Sequence, residues 1–176
     1  MPALTRAAKW LFGFGAGLSM ALVFLIIFGN SLRRYTMGRS VPWGEELPIY
    51  LTIYGVMFGL AAAYLADQHI RFTVVTDTLP RRLRHVLFMI ADVVTIASGL
   101  TLAYAGHVFA LRRGNVDSSG LKSTADWLAT STGIEWLVWI GKVGPYQYAI
   151  AFGGALLAVA GALKLAERLT QRPEEV

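Results

Sequence analysis

Few residues in this chain are placed to do chemistry. Two adjacent carboxylates, Glu45 and Glu46, follow Trp43-Gly44 at the head of an apolar run, and His69-x-Arg71 stands just past its other end. Pro42 and Pro48 bracket the start, where the first turn of a helix tolerates proline and its positive dipole end favours anionic side chains. Asp92 is the one carboxylate well inside an apolar run. It lies eight residues past Arg84, roughly 12 Å of depth at helical rise, where an unpaired charge costs several kcal/mol. Such an acid is either a proton or sodium relay or a clamp to an arginine, lysine or hydroxyl of a neighbouring helix. With no second acid in any other helix centre, the clamp is the expectation.

The three histidines raise the question of haem, which four-helix membrane bundles hold through paired imidazoles. His85 and His107 are 22 residues apart in one segment, about 33 Å along a helix, so they cannot share one. His69 and His85 could meet only at one membrane edge. No metalloprotease, nucleophile-elbow or P-loop motif is present, and an enzyme is not expected. Neither a metal site nor a cofactor is expected.

The elements that must position these residues follow from composition. The chain has 176 residues, 55% of them hydrophobic and 15% charged, too little polar surface to wrap a soluble domain of this size. Four windows, roughly 9–30, 45–66, 85–111 and 146–165, reach the ~20 apolar residues that a bilayer crossing needs. The expected fold is an all-α membrane protein, residues 1–176 forming one integral domain of four transmembrane helices plus short interfacial amphipathic helices. The first run is longer than a signal-peptide core and lacks a small-residue cleavage site, so it reads as a retained helix. The chain has no cysteine, which excludes disulfides and thiol chemistry.

The net charge of +5 does not point to nucleic acid, because the basic residues are dispersed over every membrane-flanking segment. Counted by side, nine Lys and Arg against seven favour both termini in the cytoplasm. Small residues four apart let helix backbones approach closely in lipid. Gly13 and Gly17 do so in the first run, Gly55, Gly59 and Ala63 in the second, and Gly154, Ala158 and Ala162 in the fourth. The second of these ridges is the strongest packing signal. Residues 67–84 read as an amphipathic interfacial extension, and the connection holding Trp127, Trp136 and Trp139 reads as a short helix on the outer membrane surface. The physical reading is an accessory membrane subunit. The alternatives are a stand-alone b-type cytochrome and a small homo-oligomeric transporter.

Arg34-Tyr35, then Ser40-Val-Pro-Trp43-Gly-Glu45-Glu46-Leu47, Gly59-Leu-Ala-Ala-Ala and His69-Ile70-Arg71, resembles the small (DctQ-like) membrane subunit of tripartite ATP-independent periplasmic (TRAP) transporters. The Gly144-Pro-Tyr start of the fourth run is similar too, whereas Asp92 has no counterpart in that pattern. The resemblance implies a bacterial inner-membrane secondary transporter in three parts. A periplasmic binding protein captures an organic acid, a large membrane subunit carries it with sodium, and the small subunit scaffolds the large one. It further implies that Trp43, Glu45, Glu46, His69 and Arg71 are structural or interface residues and that sodium coupling resides in the large subunit.

Overall fold

A backbone crossing hydrocarbon must satisfy its own polar groups, and a single span does so only as a helix. In the computed structural model, which describes residues 2–68 and 79–170, the four apolar runs are helices α1 (Pro2–Met37), α2 (Trp43–Leu65), α3 (Arg81–Arg113) and α5 (Gly144–Thr170). All four are long and apolar enough to cross a membrane. Between α3 and α5 lie the shorter α4 (Lys122–Thr132) and a 3₁₀ helix (Glu135–Gly141). His69, Arg71 and most of the amphipathic stretch fall outside the described residues.

Local chemistry sets the helix ends. Gly38 takes a left-handed φ of 68° and returns its N–H to the Arg34 carbonyl at 3.0 Å, which stops α1. The connection to α2 is pinned by Asn30, whose Oδ1 accepts the Val41 N–H at 2.7 Å. Pro48 is not in the first turn of α2 but in its second, inside the helix, so the Gly44 carbonyl has no N–H to receive from that position. At the other end of α2, Asp67 adopts φ 56°, a conformation that glycine usually supplies, while the Gln68 N–H reaches back to the Ala63 carbonyl at 3.0 Å. A conformation that costs an L-residue free energy persists where surrounding contacts hold it.

The spanning helices stand in a row, α1 against α2, α2 against α5 and α5 against α3, with the α3–α5 contact the most extensive. Small residues explain the order. A Cβ at Gly99 would sit 2.6 Å from the Ala158 nitrogen and 2.8 Å from the Gly154 carbonyl oxygen, and one at Gly106 would sit 2.5 Å from the Ala151 nitrogen. The α3 and α5 backbones therefore touch. Gly153 receives the Met57 side chain, and Phe58 meets Phe152 edge to face at 5.4 Å, which joins α2 to α5. On α1, Gly15 faces the Phe58 ring, and Gly55 of α2 receives Met20 and Ser19. The core gathers Phe12, Ala61, Tyr64, Leu65 and Ala160 from α1, α2 and α5.

The expected ridges are thus partly redrawn. Gly55 is the tight position in α2, because a Cβ at Gly59 would meet only the Ala16 Cβ at an ordinary 3.9 Å. A Cβ at Gly13 or Gly17 would meet nothing within 4 Å among the described residues, since α1 turns Gly15 and Ser19 inward instead. In α5, Ala162 is exposed and Gly161 takes its place against Ile96.

Candidate functional site

Two polar clusters hold the row together at opposite ends of α2. Glu46 and Tyr64, their members in that helix, are 18 residues and about 27 Å of helix apart.

Glu46 builds the first. One carboxylate oxygen accepts the Tyr50 hydroxyl at 2.6 Å, and the other accepts the Ser118 hydroxyl at 2.7 Å and the Gly120 N–H at 2.6 Å. The connection after α3 is thereby tied to the head of α2. Gly120 fits because a Cβ there would sit 2.7 Å from the Pro42 carbonyl oxygen. Tyr50 stacks on Tyr146 with centroids 4.1 Å apart, and Tyr54 donates its hydroxyl proton to the Pro145 carbonyl at 2.7 Å, which docks the start of α5. A ladder of 114–118 against 141–144 closes this end, with Ser118 N–H to Gly141 carbonyl at 2.8 Å and Val143 N–H to Val116 carbonyl at 2.9 Å. On the exposed edge of this ladder, Lys122 donates to Asp117 and holds that carboxyl below its ordinary range, a screened surface pair of little consequence for stability.

Glu46→Ala should cost about 3 kcal/mol, because it removes charge-assisted hydrogen bonds and leaves the buried Ser118 hydroxyl and Gly120 N–H without their acceptor. Thermal denaturation in detergent and faster amide exchange at Gly120 would register it. Unchanged exchange there would mean that the ladder alone holds the connection.

Glu45 behaves differently from its neighbour. It is exposed and accepts the Ser40 hydroxyl at 2.8 Å. Trp43 is half-buried and lines a recess with Leu25, Ile26 and Gly29 of α1.

The second cluster is centred on Asp92 of α3, only 1% exposed. Its Oδ1 accepts the Tyr64 hydroxyl of α2 at 2.5 Å, and its Oδ2 lies 2.7 Å from Nε of Arg168 in α5. Those last two atoms lack a hydrogen-bonding geometry, so the contact is a charge pair and not a directed bond. Arg168 also donates to Asp67 at 3.2 Å and lies over the Phe88 ring at 4.8 Å. Lys164 donates to Asp67 at 2.5 Å and to Glu167 at 3.2 Å. Lys164 and Arg168 thus fasten the left-handed Asp67 that ends α2, and Asp92 joins α3 to the same pair of helices. His85, one turn before Phe88, is buried, and its Nδ1 meets no hydrogen-bond partner among the described residues. His107 is exposed beside Tyr148 near the far end of α3. Among the described residues, no three His, Asp or Glu side chains converge as a metal site would need.

Lys164 and Arg168, near the end of the last helix among the basic residues that a membrane flank usually exposes, are both only 8% exposed. A signal existed, because Gly154, Gly161 and Arg168 follow each other at sevens and Lys164 fills the same stripe. A buried stripe that continues into cations predicts a buried acid opposite them. The Gly99 and Gly106 pair in α3 carried the same seven-residue spacing and was also overlooked.

The family described as Tripartite ATP-independent periplasmic transporters, DctQ component, matches residues 23–171. Two Haemophilus influenzae proteins, each described as a TRAP transporter small permease protein, are similar over shorter stretches. One is 21% identical over 87 residues, 49% of this chain and 53% of the relative, and the other is 29% identical over 77 residues, 44% and 48% respectively. The chain spans about half the length of the curated relatives it matches. With the family match running from the second half of α1 through the end of α5, four helices long enough to cross a membrane, and polar side chains spent on tying those helices together, the chain belongs to the DctQ component family of the tripartite ATP-independent periplasmic transporters.

Proposed function

We propose that this chain is the small permease subunit that scaffolds a large membrane subunit for sodium-coupled uptake of an organic acid, which a periplasmic binding protein delivers. The observation that carries the reading is the combination of family membership with how Asp92 is used: both of its oxygens are engaged by Tyr64 and Arg168 from two other helices. An acid so engaged serves as a clamp, and substrate and sodium pass through the partner. Trp43, Glu46, Gly55 and Asp92 then act on shape, while the chain carries no cofactor of its own. Both termini lie in the cytoplasm, which sets the Asp92 cluster toward the cytoplasm and the Glu46 cluster toward the periplasm.

The open face of α1 supports a scaffold. Among the described residues, a Cβ at Gly13 or Gly17 would meet nothing within 4 Å, and Trp10, Phe14 and Leu18 beside them are exposed. Small residues flanked by aromatic bulk suit a close helix approach from the large subunit.

The test is gentle purification of the tagged chain from its host membrane, followed by native mass spectrometry. Co-elution of one large multi-span protein without a haem mass is expected, and Gly17→Leu should lower that co-elution while leaving the chain's own helices intact. A homo-oligomer or an added haem would refute the proposal. In reconstituted transporter, Asp92→Asn should keep sodium-dependent uptake, since the amide oxygen still accepts the Tyr64 hydroxyl. Loss of sodium dependence with assembly intact would place Asp92 on an ion path instead.

A further inference from the structure

A cavity of about 530 Å³ lies outside both clusters, between the end of α1 and the head of α2 beside the pinned connection. Its walls are periodic in sequence. Ile27, Ser31 and Arg34 follow at i, i+4 and i+7 on α1, and Glu45, Ile49 and Thr52 do the same on α2. From Ile27 to Arg34 is about 10 Å of helix, which passes from apolar to charged over the depth of a headgroup layer.

At its rim stand two opposite charges. Among the described residues, the Arg34 guanidinium makes no hydrogen bond or ion pair and lies 6.0 Å from the ring of Tyr35. Glu45 is aimed by the Ser40 hydroxyl at 2.8 Å. Asn30, whose Oδ1 is held by the Val41 N–H, stiffens the wall between them, and Gly44 permits it, since a Cβ there would sit 2.9 Å from the Asn30 side chain.

The geometry points to a binding site for one phosphatidylethanolamine. Arg34, with the Ser31 hydroxyl, receives the phosphodiester through the paired N–H geometry that suits it. Glu45 receives the primary ammonium. The acyl chains run down over Ile27 and Ile49, apolar side chains that are both half or more exposed along the outside of the two helices. A lipid fits better than a soluble metabolite, because the cavity lies between two helices long enough to span a membrane and includes Ile27 and Ile49, both exposed on the outside of the chain. The carboxylate selects for an ammonium-bearing headgroup and against an anionic one.

The experiment is native mass spectrometry of the full-length chain in mild detergent, titrated separately with phosphatidylethanolamine, phosphatidylglycerol and phosphatidylcholine of the same acyl chains. One phosphatidylethanolamine should remain bound at activation energies that strip the other two. Arg34→Gln and Glu45→Gln should each lower the bound fraction about tenfold, the loss of one charge-assisted contact. Both side chains are exposed, and Gln at 45 still accepts the Ser40 hydroxyl, so neither change threatens the fold. Arg34→Lys should recover part of the binding. Equal retention of all three lipids, or wild-type retention by both Gln variants, overturns the assignment. So does a cavity that holds no lipid while Arg34→Gln lowers co-elution of the large membrane protein, because that result gives the cleft to a protein partner.

Discussion

Arg168→Met is expected to be among the most damaging single substitutions in this chain, costing about 3 to 5 kcal/mol, since it strands a buried acid without its counter-charge. Asp92 is 1% exposed, and after the substitution its remaining described partner is the neutral Tyr64 hydroxyl. Asp67 keeps Lys164 but loses Arg168, a second cation that holds its left-handed backbone. The folded fraction in membranes and the midpoint of unfolding in detergent should both fall. Asp92→Leu alone leaves Arg168 with Asp67 and should cost less. The double variant Asp92→Leu, Arg168→Met should recover much of the loss, because a well-packed apolar pair often matches a buried ion pair in stability. A double variant as unstable as the sum of the two single ones would show that the residues are not coupled and that the cluster is held by Asp67 instead.

The second large effect concerns backbone contact. Gly99→Leu should cost about 3 kcal/mol or more, because the new side chain must occupy space already filled by the Ala158 and Gly154 backbone, which cannot rotate away as a side chain would. The most extensive contact in the row, α3 against α5, would be pushed apart, and with it the approach of Asp92 to Arg168. Gly17→Leu has the same chemistry on an open face and should leave the unfolding midpoint of the isolated chain within about 0.5 kcal/mol of wild type. Equal loss from both substitutions would mean that glycine matters for helix flexibility and not for close packing.

Read from sequence alone, the chain discloses its spans, which depend on neighbours along it. The four spans follow from runs of apolar residues, because the bilayer imposes its thickness and its demand for internal hydrogen bonds on each run separately. Of the ridge Gly55, Gly59 and Ala63, the close approach is at Gly55, and the family follows from Trp43-Gly-Glu45-Glu46 and the residues spaced after it. Asp92 stood out because its burial depth was readable from Arg84 onward. Its partner did not, since periodicity says which face a residue occupies but not which helix lies opposite.

Only the tertiary structure decided that order. By placing α5 between α2 and α3, it turned Lys164 and Arg168 from apparent tail charges into the counter-ions of Asp67 and Asp92. It also separated Glu45 from Glu46, which the sequence presents as a pair. Adjacent residues on a helix point about 100° apart, so one carboxylate turns inward to hold Ser118 and Gly120 while the other faces the cleft beside Arg34. The partnership of Glu46 and Ser118, 72 residues apart, is fixed by how the helices pack and leaves no local mark in the chain.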